Sequence, residues 1–352
     1  MSDYNSTLKF IVLGAGINGL SCAFRLSSRY PGSNIEILSE QFSPSTTSDV
    51  AAGLWEPYLL GETSKDLVRK WSRETYEYFH GLWKAGYANE AGISLLPYVA
   101  LVSKGHELDD FFWKDYVYGF RELSQFELHQ LGAEHNVEYI TGAQFITFTC
   151  EPSKLLQFYT NALRSRGVKF RQFKVNCFQA LSEKLDRLIV INCLGLASGS
   201  IIPDETLKPC RGQIRRVRAP WMFHVLISNN GYVIPNTGGV TLGGTKQEDD
   251  WDLTVRAADT MKISRECYGL IRALKRTPII ADIVGLRPTR DSVRLEAEFL
   301  KTEHTDRMPI IHNYGHGGGG ITLAWGCAGE VLNLVENILN DEHGSTNNKS
   351  KL

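Results

Sequence analysis

Apolar residues first gather at 10–13, where Phe10, Ile11, Val12 and Leu13 run together and stop at Gly14-Ala15-Gly16. Beyond the glycines, Leu20, Ala23 and Phe24 recur at helical spacing until Tyr30-Pro31-Gly32 ends the pattern. Residues 34–39 then alternate around Ile35 and Ile37, which predicts a second strand. Strand, glycine turn, helix and strand within about thirty residues have the size of one dinucleotide-binding unit. Further along, the spacing predicts amphipathic helices over 67–83 and 153–166, and strands over 168–175 and 188–193.

Between 213 and 244 the pattern changes. Short β-rich pieces at 213–217, 223–227, 232–234 and 240–242 are separated by Pro, Asn and Gly, which predicts an antiparallel sheet. A helix over 256–274, a strand over 279–284, a glycine-rich turn at 315–320 and a helix over 323–339 follow. The expected fold is α/β: a Rossmann-like nucleotide-binding domain interleaved with an α+β domain built on a largely antiparallel sheet. The segments expected for the first domain are 1–60, 143–200 and 285–345. Those for the second are 61–142 and 201–284, leaving 346–352 as a C-terminal tail.

Composition narrows the partners. With 352 residues, 43% hydrophobic, the chain can bury a large core, and a net charge of −1 with a pI near 6.8 favours neither nucleic acid nor an anionic membrane. No apolar run reaches the roughly 18 to 20 residues of a membrane span. The polar start, Met1 to Lys9, leads into a strand and a glycine turn rather than a signal peptide. The seven cysteines have no metal-site or redox-pair spacing, so no metal is expected and they read as small buried hydrophobes in a reducing compartment. Ser350-Lys351-Leu352 has the form of a peroxisomal address, read by an import receptor at a free C-terminus. The polar stretch 341–349 before it is expected to lack regular structure. The matrix of the peroxisome is the expected location, the cytoplasm otherwise.

The candidate chemistry starts at Gly14-Ala15-Gly16-Ile17-Asn18-Gly19, which fits G-x-G-x-x-G between a strand and a helix. Its glycines permit the tight turn, close approach of a pyrophosphate, and close packing of helix on strand. Helix-start N–H groups and the helix dipole favour the anion. Glu40 stands at the end of the second strand, about twenty positions past the last glycine, where a carboxylate binds ribose hydroxyls and disfavours a 2′-phosphate. NAD and FAD share this motif. A second cluster, His316-Gly317-Gly318-Gly319-Gly320, runs into a helix and favours FAD, whose isoalloxazine lies far from its adenine and needs a second anchor.

Six segments in one order carry a family resemblance: 12–21; Phe42-Ser43-Pro44 with Thr46-Thr47-Ser48-Asp49-Val50-Ala51-Ala52-Gly53; Arg211-Gly212-Gln213; Val240-Thr241-Leu242-Gly243-Gly244; Gly285-Leu286-Arg287-Pro288; and His312-Asn313-Tyr314-Gly315-His316-Gly317-Gly318. In these the chain resembles the D-amino-acid oxidases and their acidic-substrate branch, the D-aspartate oxidases. The resemblance implies non-covalent FAD, with Gly14 to Gly19 on the pyrophosphate and Glu40 on the adenosine ribose. It puts Thr46, Thr47, Ser48, Ala52 and Gly53 at phosphate and flavin, Val175 near the adenine, and Gly317, Gly318, Gly319, Gly320, Ile321 and Thr322 along the isoalloxazine. It also implies oxidative deamination of a D-amino acid by oxygen.

Arg287 ends an apolar strand, and its planar fork of donors suits a carboxylate gripped by two bonds. The resemblance gives it the substrate's α-carboxylate, adds the Tyr232 hydroxyl, and assigns the Gly318 carbonyl to the substrate amine. Lys246 in Gly243-Gly244-Thr245-Lys246-Gln247 stands where the acidic branch carries an arginine for a second carboxylate. A lysine keeps the charge and loses the fork, which favours D-aspartate with a weaker grip. Segment Leu54-Trp55-Glu56-Pro57-Tyr58 is more similar to the neutral branch, Glu56 would repel a second carboxylate or neutralise Lys246, and the loop Ser228-Asn229-Asn230-Gly231 is shorter than the lid of the vertebrate neutral-substrate enzymes and lacks a second lid tyrosine. D-alanine and D-proline stand as alternative substrates. An NAD-dependent dehydrogenase and a nucleotide sensor without turnover are the other readings that the first motif allows.

Overall fold

The computed structural model describes residues 8–108, 110–181 and 187–349. Strand β1 (Lys9–Leu13) is buried along its whole length, as the middle of a parallel sheet must be. It pairs in parallel with β2 (Asn34–Ser39) on one edge and β7 (Leu188–Asn192) on the other. Strands β6 (Lys169–Gln172), β15 (Met308–Tyr314) and the antiparallel edge strand β14 (Arg294–Leu300) complete the order β14-β15-β7-β1-β2-β6. Helix α1 (Ile17–Arg29) follows the first glycine turn and buries Ile17, Leu20, Ala23 and Leu26. Short α2 (Thr47–Val50) and long α3 (Lys65–Lys84) come next. Then come α4 (Gln125–His135), α5 (Pro152–Ser165), α6 (Ala257–Leu270) and α7 (Gly320–Lys349). Helix α7 packs against α1 and α3, and α5 against α1.

The second sheet has nine strands and is largely antiparallel. Its members are β3 (Ile93–Ser103), β4 (Tyr118–Glu122), β5 (Tyr139–Cys150), β8 (Lys208–Val217), β9 (Val225–Ser228), β10 (Tyr232–Asn236), β11 (Gly239–Gly243), β12 (Gln247–Glu248) and β13 (Ile279–Thr289). The order is β12-β8-β11-β10-β9-β3-β5-β4, with β13 along the other edge of β8. On β8 the side chains alternate. Arg215 reaches Ser264 on α6, while Arg216, one position on, donates across to the Asp49 carbonyl at 2.7 Å. Trp55 is wholly buried among Tyr76, Trp113 and Tyr116, and its indole N–H donates to the Ser72 carbonyl at 3.0 Å.

Three expectations change. Residues 143–150 and 285–289 were assigned to the nucleotide-binding segments, yet they lie in β5 and β13 of the larger sheet. Their partners run the full length of these strands, Ile93 opposite Cys150 and Lys208 opposite Thr289, so the chain leaves that sheet only past those residues. Helix α7 continues to Lys349 through the stretch expected to be irregular: no proline interrupts it, and backbone bonds form whatever the side-chain polarity. The helix expected over 256–274 ends at Leu270, and a 3₁₀ turn, Arg272–Arg276, follows. Ser350-Lys351-Leu352 lies outside the described residues. All seven cysteines are free thiols, and six are buried.

Candidate active site

Gly14 takes φ +96°, a left-handed value that glycine adopts without cost. A Cβ on Gly19 would stand 1.9 Å from the Gly14 carbonyl oxygen, so α1 rests directly on the turn. At the helix start, the Ala15 N–H donates to Ser39 Oγ (3.2 Å) and the Ile17 N–H to Ser48 Oγ (3.0 Å). Asp49 holds the loop that supplies Ser48: it accepts from Ser43 Oγ, Thr46 Oγ1 and the Thr46 N–H.

The two glycine segments meet. Asn18 from the first and His316 from the second approach at 3.3 Å, Nδ2 to Nδ1, although 298 positions separate them. Burial pushes the His316 ring down to about 4, so it is neutral at pH 7. Asn18 Oδ1 and His316 Nε2 are buried without a hydrogen-bond partner. Buried polar atoms rarely stay unpaired, so this junction is chemically suited to a polar ligand.

The junction opens on a cavity of about 1710 Å³ with walls from both sheets. Most ligand pockets hold about 300–1,000 Å³, so this one has room for an extended dinucleotide and a small second molecule. Gly14 to Asn18, Glu40, Thr46 to Ser48, Ala52, Gly53, Val175, Gly317, Gly318, Gly320 and Ile321 line it. Gly19, Gly319 and Thr322 do not. Gly19 supports the turn, and Gly319 abuts Leu60. Thr322 Oγ1 donates to the Glu56 carbonyl at 2.9 Å and accepts from the Glu56 N–H at 3.1 Å. These three shape the wall from behind. Glu40 is exposed at the end of β2, with its carboxylate 3.2 Å from Lys174 Nζ.

Arg287, Tyr232, Lys246 and Gly318 open on the same cavity. Arg287 reaches from β13 across β8, and its Nη1 donates to the Thr245 carbonyl at 3.1 Å. The Tyr232 ring lies over Gly243, where a Cβ would stand 2.1 Å from the ring. Burial pushes the Tyr232 phenol up, and the adjoining Arg287 cation pulls it partly back. At pH 7 the pair therefore offers a neutral hydroxyl beside a guanidinium. Lys246 lies at the edge of the cavity: its side chain is 47% exposed and lies 3.2 Å from Glu248 Oε1. Glu56 also lines the cavity and accepts from the Tyr98 hydroxyl at 2.6 Å.

Sequence reasoning passed over two supports of this site. Tyr58, Leu59 and Leu60 cover the second glycine segment closely, and a Cβ on Gly317 would stand 1.9 Å from the Leu59 carbonyl oxygen. The arginines at 211, 215 and 216 carry the second support. Three charges in one central strand were the available signal, because arginines buried in a sheet, as Arg211 and Arg215 are, must be paired.

The family described as FAD dependent oxidoreductase matches residues 9–334. The D-aspartate oxidase of Homo sapiens is 35% identical over 331 residues, which cover 94% of this chain and 95% of the human one. A D-amino acid oxidase of Dugesia ryukyuensis is 37% identical over 332 residues, 93% of this chain and 97% of its own. Among solved structures, glycine oxidase from Geobacillus kaustophilus superimposes with a TM-score of 0.76 at 19% identity, over 94% of this chain and 95% of that one. That likeness is one of fold.

Proposed function

The chain belongs to the FAD dependent oxidoreductase family, and from that premise we propose that it is an oxidase of D-amino acids that favours the acidic ones, D-aspartate and D-glutamate. The overall reaction converts the amino acid, oxygen and water to a 2-oxo acid, ammonia and hydrogen peroxide. FAD supplies, when bound, a two-electron acceptor that oxygen reoxidises. The residues present suit it: the glycine turns leave room for it, and the orphaned atoms of Asn18 and His316 await polar partners. Gly14 to Asn18, with Gly19 packed behind them, would hold the pyrophosphate, Glu40 the ribose, Thr46 to Ser48 with Ala52 and Gly53 the phosphate and flavin oxygens. Val175 would flank the adenine, and Gly317 to Thr322 would support the ring system.

The observation that carries the reading is Arg287 beside Tyr232 in a cavity of that size. The Arg287 fork takes the α-carboxylate in two bonds, and the Tyr232 hydroxyl adds a third donor. The Gly318 carbonyl accepts from the substrate amine, so two ends of the molecule are fixed and the Cα–H points one way. With the amine neutral, this orientation is the main task, and no general base is required. Lys246 would meet the second carboxylate of an acidic substrate. Two observations favour the neutral reading, D-alanine or D-proline: Glu248 already partners Lys246, and the Glu56 carboxylate shares the cavity.

The test is peroxide release by the flavin-loaded protein with D-aspartate, D-glutamate, D-alanine and D-proline, using the L-isomers as controls. Arg287→Ala should abolish turnover on all of them. A variant that keeps the wild-type KM removes Arg287 from the carboxylate. Flavin absorbance separates this reading from a nicotinamide dehydrogenase. For Ser350-Lys351-Leu352 we propose recognition by the peroxisomal import receptor; a fluorescent fusion that loses its punctate pattern without the tripeptide would support it.

A further inference from the structure

Strand β8 carries the triplet Arg211-Gly212-Gln213, and alternation sends its outer side chains and its middle position to opposite faces. On one face Arg211 is fully buried with every donor engaged. Nε donates to the Asp252 carbonyl (2.8 Å), Nη1 to Gln247 Oε1 (2.5 Å) and Asp259 Oδ2 (2.7 Å), and Nη2 to Gln213 Oε1 (3.0 Å) and the Thr254 carbonyl (2.6 Å). Gln213 Nε2 donates in turn to the Arg256 carbonyl and Thr260 Oγ1. These bonds fasten β8 to α6 and to the segment before it.

On the cavity face Gly212 has no side chain, and the guanidinium of Arg287 fills the space. A Cβ on Gly212 would stand 2.4 Å from Nη1, 2.5 Å from Nη2 and 2.6 Å from Cζ of Arg287. Non-bonded carbon contacts settle near ~3.5–4.0 Å, so a methyl group there would displace the guanidinium from its present place. Neither strand can yield easily. β8 is stapled through Arg211 and Gln213, and β13 is locked to it in register, Gly285 opposite Gly212 and Arg287 opposite Cys210.

We propose that Gly212 is a positioning residue for the substrate: its missing side chain is the seat that sets the height of the Arg287 fork, and so the place where the α-carboxylate is held. This rests on the reading of Arg287 as the carboxylate holder. A methyl group on the seat lifts the fork by about 1 Å and strains its bond to the Thr245 carbonyl. A misplacement of that size can cost about 100-fold in rate.

The experiment compares wild type, Gly212→Ala, Arg287→Lys and the double variant as flavin-loaded enzymes, reading kcat and KM by peroxide release and flavin content by absorbance. Gly212→Ala should lower kcat/KM about 100-fold, mostly through kcat. The factor should be the same for D-aspartate and D-alanine, because both present an α-carboxylate. Lysine has no planar fork to collide with the methyl group, so the double variant should match Arg287→Lys alone. Gly212→Ala with wild-type kcat/KM beside an impaired Arg287→Lys overturns the seat and leaves the role of Arg287 standing. A double variant whose loss is the product of the two single losses also overturns it. Wild-type KM in Arg287→Lys overturns both. Should Gly212→Ala be insoluble, a soluble, flavin-loaded double variant supports the seat, and an insoluble one overturns it.

Discussion

Replacing Arg211 by leucine removes the most fully engaged side chain of the larger sheet while leaving every cavity-lining residue in place. The Asp259 carboxylate, only 12% exposed, loses its partner at 2.7 Å. Gln247, Gln213 and the Asp252 and Thr254 carbonyls lose a donor each. Breaking a buried pair by removing one member costs about 3–5 kcal/mol, chiefly because the remaining charge is stranded. The two carbonyls are partly buried and can turn to water, so the pair decides the total. Against a whole-domain stability of about 5–15 kcal/mol, that is a large fraction. At about 1.4 °C per kcal/mol for a chain of this size, the thermal midpoint of the flavin-loaded enzyme should fall by roughly 4–7 °C. Asp259→Asn should cost less, since the amide oxygen still accepts and four other acceptors remain for Arg211. A fall of only a degree or two in Arg211→Leu would show that the network is incidental to stability.

Two further outcomes follow from buried titratable groups. Burial would raise the Asp204 carboxyl, but bonds from Tyr314, Arg290 and Thr206 outweigh it and hold the group at about 2. Its contribution is therefore complete above pH 4 and disappears as the pH falls toward 2: Asp204→Asn should cost about 1–2 kcal/mol at pH 6 in urea unfolding, narrowing in acid, and a gap that widens in acid refutes the assignment. His316→Phe removes the unpartnered ring nitrogen at the meeting of the glycine turns and should weaken FAD retention about tenfold, one hydrogen bond's worth, read from flavin fluorescence on release. Unchanged retention would place the cofactor elsewhere.

Strands β1 and β7 were legible as apolar runs and β2 by its alternation, whereas β14 and β15 of the same sheet were not marked; the first glycine turn was legible because its spacing carries a mechanism. What stayed hidden was set by pairing between distant segments. Strand β3 is an apolar run broken by Pro97, β5 mixes apolar residues with Thr, Gly and Gln, and the two hold together by their mutual ladder, so periodicity alone did not mark them. The order Asn18, His316 and Leu59 in one wall depends on tertiary packing, and Leu59 takes φ +52°, which no leucine side chain announces. Arg211 and Arg287 look alike as arginines within strands. Only the alternation of β8, and the glycine between Arg211 and Gln213, separates a structural staple from a side chain presented to a ligand.

The selectivity of this site is a question of exposure. Arg287 sits inside the sheet, so its hold on a carboxylate is little screened by salt. Lys246 and Glu248 lie at the rim with side chains 47% and 76% exposed. A charged contact there is worth at most about 1 kcal/mol, about fivefold in affinity, and the Debye length shrinks from about 8 Å at physiological ionic strength to 3 Å at 1 M. The preference for D-aspartate over D-alanine, taken as a ratio of kcat/KM, should therefore decline as sodium chloride is raised from low concentration to 1 M. Lys246→Met should start near the high-salt ratio and respond little to salt. Glu248→Gln, which frees the lysine, should raise the preference at low salt. A ratio indifferent to salt, or one that Lys246→Met leaves unchanged, would mean that the second carboxylate is met by a buried group and that Lys246 has no part in the choice of substrate.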